Sequence, residues 1–258
     1  MELSRRVALV TGGGTGIGKA IAFTLAEQGA DVVIASRDST HLDTTVQELT
    51  AAGHRALALV LDVNDTASVL SCVAGIEAEC GHVDILINNA GVSGMTPMDQ
   101  EEDRLWHAIV DTNLTGTYQV TKAVLRIMTS DHGGRIINMS SVLGKFGVPG
   151  YAAYCASKHG LIGFTKALAL ELVSRNITVN ALCPGWVDTE MSRLGIEDIA
   201  RKQGITPEAF KQQALSAVPI QRFLDPNEVA QLCVYLASDR AAGITGQAVN
   251  ICGGQVMT

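Results

Sequence analysis

Two tyrosines and a lysine stand close together in GYAAYCASKHG, residues 150–160. Tyr154 precedes Lys158 by four positions and Tyr151 by seven. Either spacing sets a phenol and an ammonium on one side of a helix. A phenol with a pKa of about 10 exchanges protons slowly near neutral pH. An ammonium one turn away favours the phenolate and is expected to bring that value down, which makes an acid–base pair. A solvated helix face would use the same residues, so the spacing alone does not choose between them.

A second chemical signal is TGGGTGIG at 11–18. Glycines permit positive φ and close backbone approach, and a helix start behind them offers N–H groups to a phosphate. The spacing of Gly12, Gly16 and Gly18 is not the common GxGxxG form. The next strand-like run ends in IASRD, with Ser36 and Arg37 where a site for NAD would carry an acid for the ribose 2′-hydroxyl. A guanidinium suits a 2′-phosphate instead, which favours NADP over NAD, although Asp38 next door could partly neutralise it. In the run ending LDV, Asp62 is placed to accept from an adenine amino group or, alternatively, to cap a helix.

The elements that must position these groups alternate along the chain. Apolar runs at 6–12, 31–37, 56–63, 83–91, 134–141, 177–185 and 246–254 make seven candidate strands. Helical patterns lie between them, at 16–29, through Ala52 and over 66–80. Continuous Val/Ile/Leu runs rather than alternation indicate strands covered on both faces. The expected fold is α/β: a Rossmann-type, doubly wound, seven-stranded parallel sheet in three αβα layers, a single domain over 1–258. Residues 186–219 fit no strand–helix unit. Such a segment is either a plain surface excursion or a lid over a site, and the lid is favoured because ligands of such sheets bind outside the carboxyl ends of the strands.

Composition excludes several classes. The 258 residues carry a net charge of −7 with no basic stripe, so a nucleic-acid partner is not expected. The apolar fraction, 47%, supplies a core, whereas the charged fraction of 17% is low enough to suggest that part of the surface is covered. No apolar run approaches a membrane span, and MELSRRVALVTGGG does not read as a signal peptide. The six cysteines show no metal spacing and are expected to be buried thiols in a cytosolic protein.

TGGGTGIG, LDV at 61–63, NNAG at 88–91, NLTG at 113–116, SS at 140–141, YCASK at 154–158 and PGWVDT at 184–189 together resemble the short-chain dehydrogenase/reductase family, in order and over essentially the whole chain. The resemblance implies a catalytic tetrad of Asn113, Ser141, Tyr154 and Lys158. It selects Tyr154 over Tyr151, and Ser141 over Ser140. It implies that Tyr154 gives the proton in ketone reduction, that Ser141 hydrogen-bonds the substrate oxygen, that Lys158 also holds a nicotinamide ribose, and that Asn113 holds a water joining Lys158 to solvent. The implied cofactor site comprises Gly12, Thr15, Gly16, Ile17, Gly18, Ser36, Arg37, Asp62, Val63, Asn89, Ala90, Gly91, Tyr154, Lys158, Pro184, Gly185, Val187 and Thr189.

The substrate is read more coarsely. Val92, Met95, Met98, Val142, Leu143, Phe146, Trp186, Met191 and Leu194 are expected to bound an apolar pocket, with Tyr151 either lining it or packing. SKHGLIGFTKALALEL and NICGG look most like 3-oxoacyl and polyketide ketoreductases of the family. This gives an NADPH-dependent ketoreductase of an apolar ketone or carrier-bound thioester. The alternatives are an NAD-dependent alcohol, sugar or cyclitol dehydrogenase and a catalytically idle dinucleotide-binding regulator. The net charge opposes docking of an acidic carrier, while Arg193, Arg201 and Lys202 could form a local basic patch. Residues 159–173 are apolar nearly all round. Leu161, Phe164 and Leu168, with Val120, Val124 and Ile127 on the preceding helix, are expected to pack against a second copy in a dimer or tetramer.

Overall fold

The computed structural model of the chain describes residues 2–99, 103–128 and 133–258. Seven parallel strands form one sheet: β1 (Val7–Thr11), β2 (Asp31–Ser36), β3 (Ala56–Val60), β4 (Ile85–Asn88), β5 (Gly134–Met139), β6 (Ile177–Pro184) and β7 (Ala248–Ile251). Their order is β3-β2-β1-β4-β5-β6-β7, so the winding reverses between β1 and β4. That switch point opens a crevice at the carboxyl edge.

Nine α-helices are described: α1 (Gly16–Glu27), α2 (Ser39–Ala51), α3 (Thr66–Cys80), α4 (Arg104–Val110), α5 (Thr117–Val124), α6 (Ala152–Leu172), α7 (Glu190–Gln203), α8 (Pro207–Ser216) and α9 (Pro226–Ala237). Along β1, Ala8 and Val10 face a core shared with α1 and α9, while Val7 and Leu9 face one shared with α3, α5 and α6. The five inner strands are buried on both faces, as the unbroken apolar runs require. The edge strands β3 and β7 are only half-buried, so there the same kind of run does not mean two covered faces.

The face expected to meet a second copy is largely internal. Leu161, Leu168, Val120, Val124 and Ile127 are buried within the chain. Helix α6 lies against β6 on one side and against α4 and the following turn on another, so two of its faces are used. The apolar side chains left outside on these helices are Tyr118, Leu170 and Val173; Leu170 is 80% exposed where Leu168 is 7%.

Candidate active site

At the switch point a cleft is lined by Gly12, Ala35, Ser36, Arg37, Leu61, Asp62, Val63, Asn64, Ala90, Gly91, Val92 and Thr112. The glycine turn enters it through Gly12. Gly12 and Gly16 have φ of +65° and +52°, which L side chains resist. A Cβ on Gly18 would stand 2.1 Å from the Gly12 carbonyl oxygen, so this glycine lets α1 close onto β1. Asn89 holds the turn from β4: its Nδ2 donates to the carbonyls of Thr11 and Gly12, at 3.0 and 3.2 Å. Thr11 Oγ1 answers by accepting from the N–H groups of Asn89 and Ala90. Asn89 thus braces the cleft with its side chain already engaged.

On the far wall Asp62 accepts from Asn64 N–H at 2.9 Å, and the residue that caps α3 is Asp65. The helix-cap alternative for Asp62 therefore falls. Asp38 caps α2 by accepting from Thr40 and His41 N–H, and those bonds hold its carboxyl below the usual range. Arg37 is exposed at the cleft wall. Asn64 and Thr112 were not foreseen; they meet across the rim, Asn64 Nδ2 donating to Thr112 Oγ1 at 3.0 Å. Their only signal is adjacency to LDV and to NLTG.

Beyond Gly91 the strand ends bring Ser141, Tyr154 and Lys158 together. Successive residues of an extended chain point to opposite sides, and the two serines divide accordingly. Ser140 Oγ donates to the Lys158 carbonyl at 2.9 Å, tying α6 to β5. Ser141 caps the short 3₁₀ turn at 142–144, accepting from Leu143 N–H, and its hydroxyl hydrogen-bonds the Tyr154 phenol. Lys158 Nζ donates to Met139 O at 2.8 Å and lies 5.4 Å from the centre of the Tyr154 ring. Burial pushes the Lys158 ammonium down to about 8. It pushes Tyr154 up to about 12, with the Ser141 hydrogen bond opposing. The lysine was expected to lower the phenol; in this site desolvation raises it, and the group that works the other way is Ser141 rather than Lys158. At neutral pH the result is a neutral phenol beside a mostly protonated amine, which can give a proton to an oxygen that is becoming negative.

Asn113 sits in a π turn, Asp111–Gly116, between α4 and α5. Such widened turns recur at functional sites. Its Oδ1 accepts from Val92 N–H at 2.8 Å, and its Nδ2 donates to Val92 O and to Ser157 Oγ at 2.9 and 3.1 Å. Both amide donors are used, so a water beside this side chain would find only acceptors. Asn113 ties the loop after β4 to the helix of Tyr154. A Cβ on Gly91 would lie 3.2 Å from Asn113 Oδ1 and 3.6 Å from Lys158 Nζ, so that glycine leaves the approach between them open.

The remaining predicted residues lie outside the lining of that cleft. Thr189 caps α7 and faces Gly16, whose Cβ would meet Thr189 Cγ2 at 3.4 Å. Val187 is buried in the core and bridges Leu224, so only its main chain could serve a ligand. Pro184 ends β6, and Gly185 N–H donates to Ile251 O. Thr15 and Ile17 flank the start of α1. Trp186, expected in the pocket, stacks on Phe223 at 5.6 Å and meets Phe210 edge-on. Val142 is buried, Met98 is 88% exposed, and Met191 and Leu194 face solvent. Tyr151 is half-buried; burial and the Asp198 carboxylate of α7 raise its pKa. The expected basic patch is compensated from within: Asp198 pairs with Arg201 and Lys202, and Asp188 with Arg193.

A parallel doubly wound sheet with a glycine turn at its switch point, and Tyr-x-x-x-Lys beside it, defines a dinucleotide-dependent oxidoreductase of carbonyl and alcohol groups. The chain belongs to the short-chain dehydrogenase family, whose model matches residues 6–199. It is 46% identical over 255 residues, 98% of each chain, to a Streptomyces virginiae protein assigned as the ketoacyl reductase of monensin polyketide synthase. It is 41% identical over 257 residues, spanning both chains in full, to the 3-oxoacyl-(acyl-carrier-protein) reductase FabG of Escherichia coli K12. A variant of the actinorhodin polyketide ketoreductase, crystallised with NADPH, superposes with a TM-score of 0.94 at 43% identity, covering 99% of this chain and 98% of that one.

Proposed function

We propose that the protein is an NADPH-dependent ketoreductase that reduces a carbonyl of an apolar ketone or of a 3-oxoacyl or polyketide thioester. The observation that carries this is the grouping of Tyr154, Ser141 and Lys158 beyond Gly91 at the end of the cleft. A phenol that is protonated at neutral pH has a proton to give to a carbonyl oxygen as that oxygen becomes negative, which is what reduction needs. The names of the relatives point to the same substrates. When bound, the dinucleotide supplies the hydride. Gly12, Thr15, Gly16, Ile17 and Gly18 would hold its pyrophosphate at the start of α1. Asp62, Val63, Ala90 and Gly91 would line its adenosine half, and Pro184, Gly185, Val187 and Thr189 its nicotinamide end.

In this reading Tyr154 is the general acid and Ser141 orients the substrate oxygen. Lys158 keeps a positive charge under the site and reaches the ribose, and Asn113 fixes the loop at Val92. Arg37 selects the 2′-phosphate, because Asp38 is committed to its helix cap and leaves the guanidinium to the cleft. Residues 186–219 form a lid whose base is held by the stacking of Trp186 on Phe223. The chain works as a cytoplasmic homo-oligomer, a tetramer, supported by the outward Tyr118, Leu170 and Val173 and by the free state of all six cysteines. Sedimentation that shows an active monomer would remove the assembly claim.

The deciding experiment compares NADPH and NADH oxidation on a ketone panel, including an acetoacetyl thioester and a bicyclic ketone. Alcohols, sugars and cyclitols are assayed with NAD⁺ alongside. Ketone turnover with NADPH is expected. Turnover confined to NAD⁺ with an alcohol would replace the reading by a dehydrogenase, and tight dinucleotide binding without turnover by an idle regulator.

A further inference from the structure

Helix α6 carries Tyr154 in its first turn, yet it begins without a cap of its own. The residue at its start is Tyr151, whose side chain accepts no hydrogen bond from the first turn. The first turn of a helix has N–H groups with no intrahelical partner, and Ala153, fully buried, bears one of them. Its partner comes from another part of the chain. Ala153 N–H donates to Thr96 Oγ1 at 3.2 Å, while Thr96 N–H donates to Gly150 O at 2.7 Å. The two bonds form a reciprocal capping pair in which Thr96, in the loop after β4, stands where a local Ser or Thr would.

The surrounding residues fit this arrangement. Thr96 is 7% exposed, a buried hydroxyl with a defined partner. Gly150 holds φ at +79°, and a Cβ there would come within 2.8 Å of Met95 Cε, so glycine lets the two segments approach. The same loop is gripped at its other end by Asn113, through both polar groups of Val92. Asn113 in turn donates to Ser157 Oγ, which donates to Tyr154 O at 2.8 Å. The loop 92–96 is thereby bonded to the helix of Tyr154 at two places.

We propose that Thr96 is a positioning residue: it caps the catalytic helix across the fold and so sets the Tyr154 phenol relative to Ser141. The role rests on Tyr154 being the proton donor, as proposed above. It explains how a pocket wall and the acid keep one relative geometry without a covalent neighbour relation. A displacement of about 1 Å at a reacting group can cost up to about 100-fold in rate.

The test compares Thr96→Val, which keeps the shape and removes the hydroxyl, with Thr96→Ser, which keeps the hydroxyl. Thr96→Ala serves if the valine variant does not fold. Amide hydrogen exchange at residues 152–155 and steady-state reduction of acetoacetyl-coenzyme A by NADPH are measured on each. In Thr96→Val the expected results are lost protection at 152–155 with β5 still protected, and kcat lower by roughly 10- to 100-fold at little-changed KM for NADPH. Thr96→Ser restores both. Unchanged exchange in Thr96→Val overturns the cap, and lost protection with wild-type kcat overturns the positioning. A wild type that reduces no ketone refutes the ketoreductase reading instead, and unchanged exchange in that case still overturns the cap.

Discussion

Helix α6 starts at the carboxyl ends of the strands and packs back along β6, whereas the α7–α8 excursion follows the end of β6, and the two are built in opposite ways. Helix α6 buries ten of its 21 residues, among them Ser157, Lys158 and Thr165. Its polar groups are bonded inward: Ser140 to the Lys158 carbonyl, Lys158 to Met139 O, Asn113 to Ser157. Helix α7 buries only Ile196, Ile199 and Ala200, and α8 buries nothing. Those helices are held at their feet, by the Trp186–Phe223 stack and the Val187–Leu224 bridge, and laced on the outside by exposed ion pairs. Buried, fully bonded polar groups fix geometry, whereas solvated pairs hold little. In the proposed function the chemistry falls to the densely bonded part and substrate admission to the part that buries little.

The sharpest way to break this comparison is to strip one oxygen from the rigid side. Tyr154→Phe is expected to lower turnover by roughly two to four orders of magnitude while dinucleotide binding survives. Tyr151→Phe, beside the lid, is expected to leave turnover nearly intact and to change only the apparent affinity for substrate. Rates measured on both variants, with NADPH affinity by fluorescence, decide it. A dead Tyr151→Phe would move the chemistry to the mobile side.

The cofactor wall gives the next largest effect. If Arg37 pairs with the 2′-phosphate as proposed, Arg37→Ala removes a charge-assisted contact worth about 1.5–3 kcal/mol. NADPH is then expected to bind at least about tenfold more weakly, with NADH nearly unaffected. Equal losses for the two would show that Arg37 does not read the 2′-phosphate.

Much of this frame was legible in the residues, and the failures have physical causes. Five strand runs proved buried on both faces, but the runs at 56–63 and 246–254 look the same in sequence and lie at the edges. Whether a strand has a neighbour is a property of topology and not of its own composition. Leu168 was read as outward because α6 is apolar all round; a helix wedged between a sheet and other helices has the same pattern as one at a dimer face. Spacing placed Lys158 beside Tyr154, but the sign of the phenol's shift depends on burial, which spacing does not encode. The π turn at Asn113 adds no composition signal, and a cap supplied by Thr96 from more than fifty residues away has no local signature.

A pH series tests the rigid side more finely. Lys158 is charged below about 8 and neutral above it. If the charge under Tyr154 is needed, ketone reduction holds at lower pH and falls once pH passes that value, by about tenfold per further unit. Tyr154 itself, near 12, stays protonated throughout the range and adds no limb. A rate still flat at pH 10 would mean that the ammonium is dispensable.

The smallest effect is expected on the lid. Asp198 holds Arg201 and Lys202 at once, and those bonds lower its pKa. All three side chains are at least partly in water, so Asp198→Asn should cost less than about 1 kcal/mol of stability and shift the melting temperature by a few degrees at most. Reduction of a small ketone should stay within about twofold of wild type, since nothing in the bonded frame around Tyr154 depends on Asp198. The substitution does uncover two cations on α7, Arg201 and Lys202. If an acidic carrier approaches over α7, turnover of a carrier-bound thioester should rise while that of the coenzyme A thioester does not. The gain should vanish at high salt, as expected for exposed charges. A large loss of small-ketone turnover would instead mean that α7 transmits force to Tyr151 and the start of α6. The division between fixed catalyst and mobile cover would then be wrong at that point.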